Sequence, residues 1–319
     1  MLAPLRRSNS HFRFRLLLSA SLLGSTICWP ACTLPQAPPS VPSIPELKSR
    51  VESGDVSARR QLAEFLVSAE PTSPDYGMAL SWLQSLALKR VPDAQYLLGY
   101  FYEHGKGLPR DYAKAGENYA ASANQGYAPA ENNLASLYQR GFGVPKDLAV
   151  AFRWYRSSAM HGSASAQLNL GTFYYLGYGT PVDYVEAVKW FRAAAERGLP
   201  EAEDDLAHCY LKGHGVPVDN VQAVYWARRA ADQGHARAFA LLGYLYENGK
   251  GVPLDYVSAY AWYSRAIAAG EDSSANRLKH LSQIMTRRQL DEANSLASAQ
   301  PNVPESSPTP ATFSLLQNH

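Results

Sequence analysis

Cysteine is scarce in this chain. There are three in 319 residues, Cys28 and Cys32 near the start and Cys209 alone in the rest, so no intramolecular disulfide framework can staple the main body. Charge is also thin. Asp, Glu, Lys and Arg make up 18% of the residues, against roughly 25% in an ordinary soluble domain. The net charge of +2, with acids and bases interspersed, leaves no basic stripe to neutralise phosphates, and nucleic acid is not expected as a partner. Catalytic signatures are missing too: there is no His-Glu-x-x-His, no Gly-x-Ser-x-Gly and no Ser-x-x-Lys. His208, Cys209 and His214 make an incomplete ligand set, so neither a metal nor another cofactor is expected. Long apolar runs are lacking as well. The main one, residues 16–27, is too short to span a bilayer.

That run follows Arg6, Arg7, Arg13 and Arg15, the order of an export signal over residues 1–32. Ala31 and Cys32 resemble the end of a bacterial lipoprotein box, with Trp29 where such boxes usually carry leucine. The resemblance implies lipidation at Cys32, a membrane anchor and a periplasmic or outer-membrane location. Residues 33–45 are proline-rich with little to bury and read as an extended tether, the folded part starting near Glu46.

What dominates the remainder is a period of 36. Gly-x-Gly recurs at 105/107, 141/143, 177/179, 213/215 and 249/251. In the same register stand Ala94, Leu98 and Tyr102 with their equivalents, then a proline (Pro109 and its equivalents), an aspartate (Asp111, Asp147, Asp183, Asp219, Asp255), a tryptophan in four copies and a closing glycine. The four-residue spacing of Ala94, Leu98 and Tyr102 puts them on one helix face, where Gly99 or its equivalent lets a neighbouring helix come close. The first turn glycine can end the helix in the left-handed conformation. Proline stops it from resuming. Aspartate caps the next helix, and Glu186 and Gln222, three residues after Asp183 and Asp219, predict two capping boxes. Each unit is therefore helix, tight turn, helix, glycine stop.

The pattern predicts an all-α solenoid: a degenerate capping repeat over residues 46–91, five full repeats over 92–271, capping helices over 272–300 with a capping box at Thr286 and Gln289, and a disordered tail over 301–319. Gly-x-Gly after a helix does not suit a phosphate loop, which needs a strand before it. The tryptophans and twelve of the tyrosines fall at recurrent positions and read as core.

The run Ala166-x-x-x-Leu170-Gly171-x-x-Tyr174-x-x-Gly177-x-Gly179, continued by Asp183, Ala187, Trp190, Phe191, Ala194, Ala195 and Gly198, resembles the Sel1-like repeat, a relative of the tetratricopeptide repeat. The resemblance implies a right-handed superhelix acting as an adaptor or scaffold, with no enzymatic activity, whose first helices line a concave face. Free positions on those helices then become candidate contacts for a protein partner of the cell envelope: Tyr100, Asn133, Asn169, Asp205, His208 and Tyr244. Two alternatives stay open. One is direct binding of peptidoglycan or another glycan. The other is β-lactam chemistry, linked to cysteine-rich relatives whose paired cysteines this chain lacks.

Overall fold

A computed structural model describes residues 43–299 of the chain, and these are helical throughout, with no strand among them. After α1 (Ile44–Glu52) come six hairpins: α2 (Val56–Ser68) with α3 (Pro74–Leu88), α4 (Pro92–His104) with α5 (Tyr112–Ala123), α6 (Ala128–Arg140) with α7 (Leu148–Met160), α8 (Ala164–Leu176) with α9 (Tyr184–Glu196), α10 (Pro200–Lys212) with α11 (Asn220–Asp232), and α12 (Ala236–Glu247) with α13 (Tyr256–Ala268). Helices α14 (Ala275–Ile284) and α15 (Arg287–Ser298) close the stack against α13. From α1 to α14 each helix packs on the one before it, and α15 folds back on α13, the arrangement of an α-solenoid with a closing cap.

Local chemistry explains why each hairpin turns where it does. Gly105, Gly141, Gly177 and Gly213 cap their helices in the left-handed region, at φ of 69° to 74°. In the last hairpin the helix stops one residue earlier, at Asn248, and Gly249 still has φ of 60°. The aspartate after the turn then holds both helices at once. Its carboxylate accepts two backbone N–H groups of the second helix, as Asp183 does from Val185 and Glu186. Its own N–H donates to the carbonyl of the first-helix tyrosine in all five copies: Asp111 to Tyr102, Asp147 to Tyr138, Asp183 to Tyr174, Asp219 to Tyr210 and Asp255 to Tyr246. This corrects the expected capping boxes. The N–H that Glu186 or Gln222 would have received is already taken by that carbonyl, and Glu186 turns instead to Lys189 and to the indole N–H of Trp190.

The second turn glycine has a different task. A Cβ on Gly143, Gly179, Gly215 or Gly251 would collide with the main chain that opens the second helix of the preceding hairpin, at Tyr112, Leu148, Tyr184 and Asn220. Here the turn of one repeat seats on the previous repeat. Inside a hairpin, Gly99, Gly171 and Gly243 lie under the rings of Tyr119, Phe191 and Tyr263, where a Cβ would come within 2.7, 2.6 and 2.5 Å. Those rings, like Tyr155, Tyr76, Phe101 and Phe173, are buried in the core. The tryptophans are shallower: Trp226 and Trp262 are buried near the rim of the core, and Trp154 and Trp190 only half-buried.

The two ends depart from the repeat. Ser43, Ile44 and Pro45, expected in the tether, are the N-cap and first turn of α1, because Ser43 accepts from the Glu46 N–H and proline suits a first helical turn. The export signal, Cys32 and the tail over 301–319 lie outside the described residues. Helices α2 and α3 touch far less than the partners of any later hairpin, leaving a cavity of about 590 Å³ lined by Leu62, Ala63, Val67, Leu83, Leu97 and Tyr127 among others. At the other end the Thr286 and Gln289 capping box is present, and the Arg265 guanidinium donates to the carbonyls of Leu296 and Ala299 at the end of α15.

Two glycines separate backbone strain from packing. Gly198 has φ of 82° with open space around it, so Gly198→Ala should cost about 1 to 2 kcal/mol for the left-handed backbone alone. Gly179→Ala adds the collision with Leu148 and should cost about 3 kcal/mol or more. Denaturant titration of the two variants should show that order, and equal losses would remove the seating role of the second glycine.

Candidate functional site

Repeat-dictated positions are spent on turns, caps and core, which leaves the variable positions of the first helices as candidates for other tasks. Their side chains reach from one repeat to the next. Asn169 donates to Asn132 at 3.0 Å, Asn132 to Asn133 at 3.2 Å, Asn133 to the Tyr119 hydroxyl at 3.2 Å, and that hydroxyl to Glu103 at 2.8 Å. Arg140 completes the run with a 2.6 Å ion pair to the other oxygen of Glu103. Among the described residues no side-chain to side-chain hydrogen bond joins two successive second helices. The first-helix face is therefore the one knit together by polar groups, across three repeats.

The predicted contacts divide along this face. Asn133 and Asn169 belong to the ladder and are half-buried. Tyr100 lies apart from it, half-buried on α4 with its ring stacked on His104 at 4.0 Å. His208 and Tyr244 come together near the far end, lining one pocket of about 360 Å³ with Leu211, Lys212, Arg237, Ala240, Leu241, Tyr263, Glu271, Ser273, Ser274 and Arg277. Asp205 adjoins it through Arg237, at 3.4 Å. Burial raises the Asp205 carboxyl above the usual range, with Arg237 opposing.

Tyr244 is set among cations. Its hydroxyl accepts from Lys250 at 2.9 Å, and Lys250 and Arg277 lie 5.0 and 5.3 Å from its ring centroid. The Lys250 hydrogen bond, with the fields of Lys250, Lys212 and Arg277, holds the phenol below its ordinary range. Arg277 also pairs with Glu247 at 2.7 Å. Asp204, fully buried, faces Arg237 at 3.0 Å, His208 at 3.6 Å and His235 at 3.8 Å. Lys212, Ser274 and Arg277 were not among the residues singled out from sequence. Lys212 occupies a position that reads His104, Arg140, Leu176, Lys212, Asn248 along the repeats, and Ser274 and Arg277 lie beyond the last repeat, where periodicity gives no guide.

Other chemistry is sparse. No group of three or more His, Cys, Asp or Glu among the described residues is arranged to hold a metal. Cys209 is 1% exposed, and burial pushes its thiol up to about 12, which suits a packing residue and not a nucleophile. On the turn edge, Val182, Val185, Val218, Val221 and Leu254 form an exposed aliphatic line along the later repeats, where the earlier ones carry Arg110 and Lys146.

A family model for the Sel1 repeat matches residues 56–89, 92–127, 128–163, 164–199, 200–235 and 236–271. Among solved structures, the chain is 34% identical to a protective antigen of uropathogenic Escherichia coli strains displaying an SLR fold, with a TM-score of 0.72 over 79% of this chain and 54% of that one. It is 27% identical to a Sel1 repeat protein from Oxalobacter formigenes, with a TM-score of 0.60 over 82% of this chain and 97% of that one. It is also 40% identical over 75 residues to a chitin synthase regulator of Saccharomyces cerevisiae, a stretch covering 23% of this chain and 11% of the yeast protein. The chain thus spans about half the length of the E. coli structure and a small part of the yeast protein.

Two measurements check the site chemistry. In the folded protein Cys209 should resist iodoacetamide at pH 8 and react on adding denaturant, as followed by mass mapping of its peptide. Because the folded Asp205 pKa is raised, ionising this group opposes folding, and the penalty is present above the folded pKa and vanishes below the unfolded value of about 3.9. Asp205→Asn should therefore melt higher than the parent at pH 7, with the gap closing as pH falls towards 3; a gap that widens in acid would reverse the assignment.

Proposed function

From the chain's membership of the Sel1-repeat family, whose members mediate protein–protein interaction, we propose that it is a non-enzymatic adaptor at a bacterial cell envelope, holding a protein partner along the face made by its first helices. The observation that carries this reading is the division of labour along the repeat. Every recurrent glycine, aspartate and aromatic has a structural task, and the polar ladder and the cation-lined pocket draw mainly on variable positions of the first helices, with the hydroxyl of Tyr119 joining the ladder and Tyr263 lining the pocket from the second helices. Tyrosine, arginine and amides on a gathered helical surface supply the amphipathic contact area that protein interfaces favour.

The envelope part of the proposal rests on residues 1–32, whose basic and then apolar order ends at Ala31 and Cys32. A lipid at Cys32 would hold the solenoid at a membrane. The likeness to a bacterial protective antigen supports a bacterial setting. A glycan-binding reading is less well supported, because the tryptophans that would stack on sugars are buried or half-buried and carry cations over their rings: Lys189 over Trp190, Arg229 over Trp226, and Arg228 and Arg265 over Trp262. A β-lactam-active enzyme would need a nucleophile, and the buried Cys209 is a poor one.

A photo-cross-linking residue in place of Tyr244 should capture a discrete protein in living cells, whereas one in place of exposed Met160, on a second helix, should not. Retention of the purified chain on bare cell-wall sacculi, or turnover of a chromogenic penicillin, would replace this reading with one of its rivals. Mass spectrometry of the mature N-terminus should find an acylated peptide beginning at Cys32; a free amine further along would refute the anchor.

A further inference from the structure

The hairpin of α2 and α3 lacks the ring that four of the five full hairpins seat in their core. Where Tyr119, Tyr155, Phe191 and Tyr263 stand in the register of 36, it carries Leu83, and in the register of Gly99 it carries Ala63. Both residues line the cavity of about 590 Å³ that opens between α2, α3, α4 and the start of α6. Its walls are mainly aliphatic: Leu62, Leu83, Leu86 and Leu97 are buried, and Ala63 and Val67 partly covered. Walls that face empty space forfeit dispersion contacts. A cavity lined in this way stays dry and takes up apolar molecules.

The polar groups of the lining are exposed or half-buried, as at a mouth. Arg59 is committed there to Asp93 at 3.3 Å, and Glu64, the other acid, is exposed to water. Arg60 is exposed and has no ion-pair or hydrogen-bond partner among the described residues. It stands close enough to Tyr127 for its charge to act on the phenol. Burial and the charge of Asp93 push that phenol up to about 12, with Arg60 pulling the other way, so it stays protonated at neutral pH and can donate. A free guanidinium and a phenolic O–H thus flank the entrance to an aliphatic interior. An α-helix, about 10 Å across with its side chains, can rest on such a mouth but cannot fill the interior. A single alkyl chain with an anionic head matches both parts.

We propose that this cavity binds a long-chain fatty acid, its alkyl chain lying between Leu62, Val67, Leu83 and Leu97 and its carboxylate received at the mouth by Arg60 and the Tyr127 hydroxyl. Occupancy needs neither a membrane anchor nor a protein partner. It would tie α2 to α3, the two helices that touch least within any hairpin.

Displacement of a dansyl-labelled undecanoate from the full chain, with every lipid kept below its micellar concentration, tests the site. Palmitate should displace the dye saturably at one site per chain and raise the melting temperature. Its methyl ester should bind at least about tenfold more weakly, for loss of the charge-assisted contact. Octanoate, with half the chain, should bind at least about a hundredfold more weakly. Arg60→Glu should bring the acid down to the level of the ester. Leu83→Phe restores the ring of the other hairpins, and Ala63→Phe fills the same space from α2; each should melt no lower than the parent and lose palmitate. A diazirine-bearing palmitate should label peptides of α2 and α4. No displacement by palmitate, equal affinity of acid and ester, label confined to other helices, or binding that survives in a folded Leu83→Phe or Ala63→Phe chain overturns the inference. Light scattering tests the rival occupant: a parent that dimerises beside a monomeric Leu83→Phe variant would give the cavity to a second copy of this chain.

Discussion

Everything in the stack depends on one small arrangement, the aspartate that follows each Gly-rich turn. Its backbone N–H is held by the first helix and its carboxylate holds the second, so a single residue fixes the angle at which a hairpin closes. Both bonds satisfy groups that helix ends otherwise leave exposed. With that angle set, the glycine before the turn can be left-handed, the glycine after it can seat on the previous repeat, and the core rings can settle over Gly99, Gly171 and Gly243. Replace the aspartate, and the hairpin loses a cap and a hinge together.

Much of this could be read from residues alone because a period of 36 repeats the same physical problem five times. The left-handed glycines, the aspartate caps and the burial of Leu134, Leu170 and Ala166 follow from spacing and conformational preference. The capping boxes failed for a tertiary reason: Glu186 stands at the right separation, but a carbonyl from the other helix, twelve residues back in the sequence from Glu186, had already filled the place. Local motifs cannot register such competition. The splayed α2 and α3 were equally hidden, since a degraded repeat says that the pattern is lost and not how the two helices then sit.

The candidate face was legible only in outline. Variable positions pointed to the first helices, and of the residues chosen there His208 and Tyr244 share a pocket. Yet Asn133 and Asn169 turn out to be joined through Asn132, which was not singled out, and the groups that give the pocket its charge come from Lys212 at a helix end and Arg277 beyond the last repeat. Periodicity reveals what a repeat must keep. It is silent about how departures from it, scattered over two hundred residues, converge in space.

Every hydrogen bond described in the solenoid joins residues no more than 39 apart in the chain, the widest being that between Tyr175 and His214. No strut runs from one end to the other. Under tension applied at its two ends, such a chain has no long-range clamp to break first, and it would yield as a row of separate fasteners. Each released hairpin would pay out 36 residues, about 120 to 130 Å of extended polypeptide. An anchored molecule of this kind would act as an extensible leash, lengthening in even steps while the repeats still stacked kept their grip.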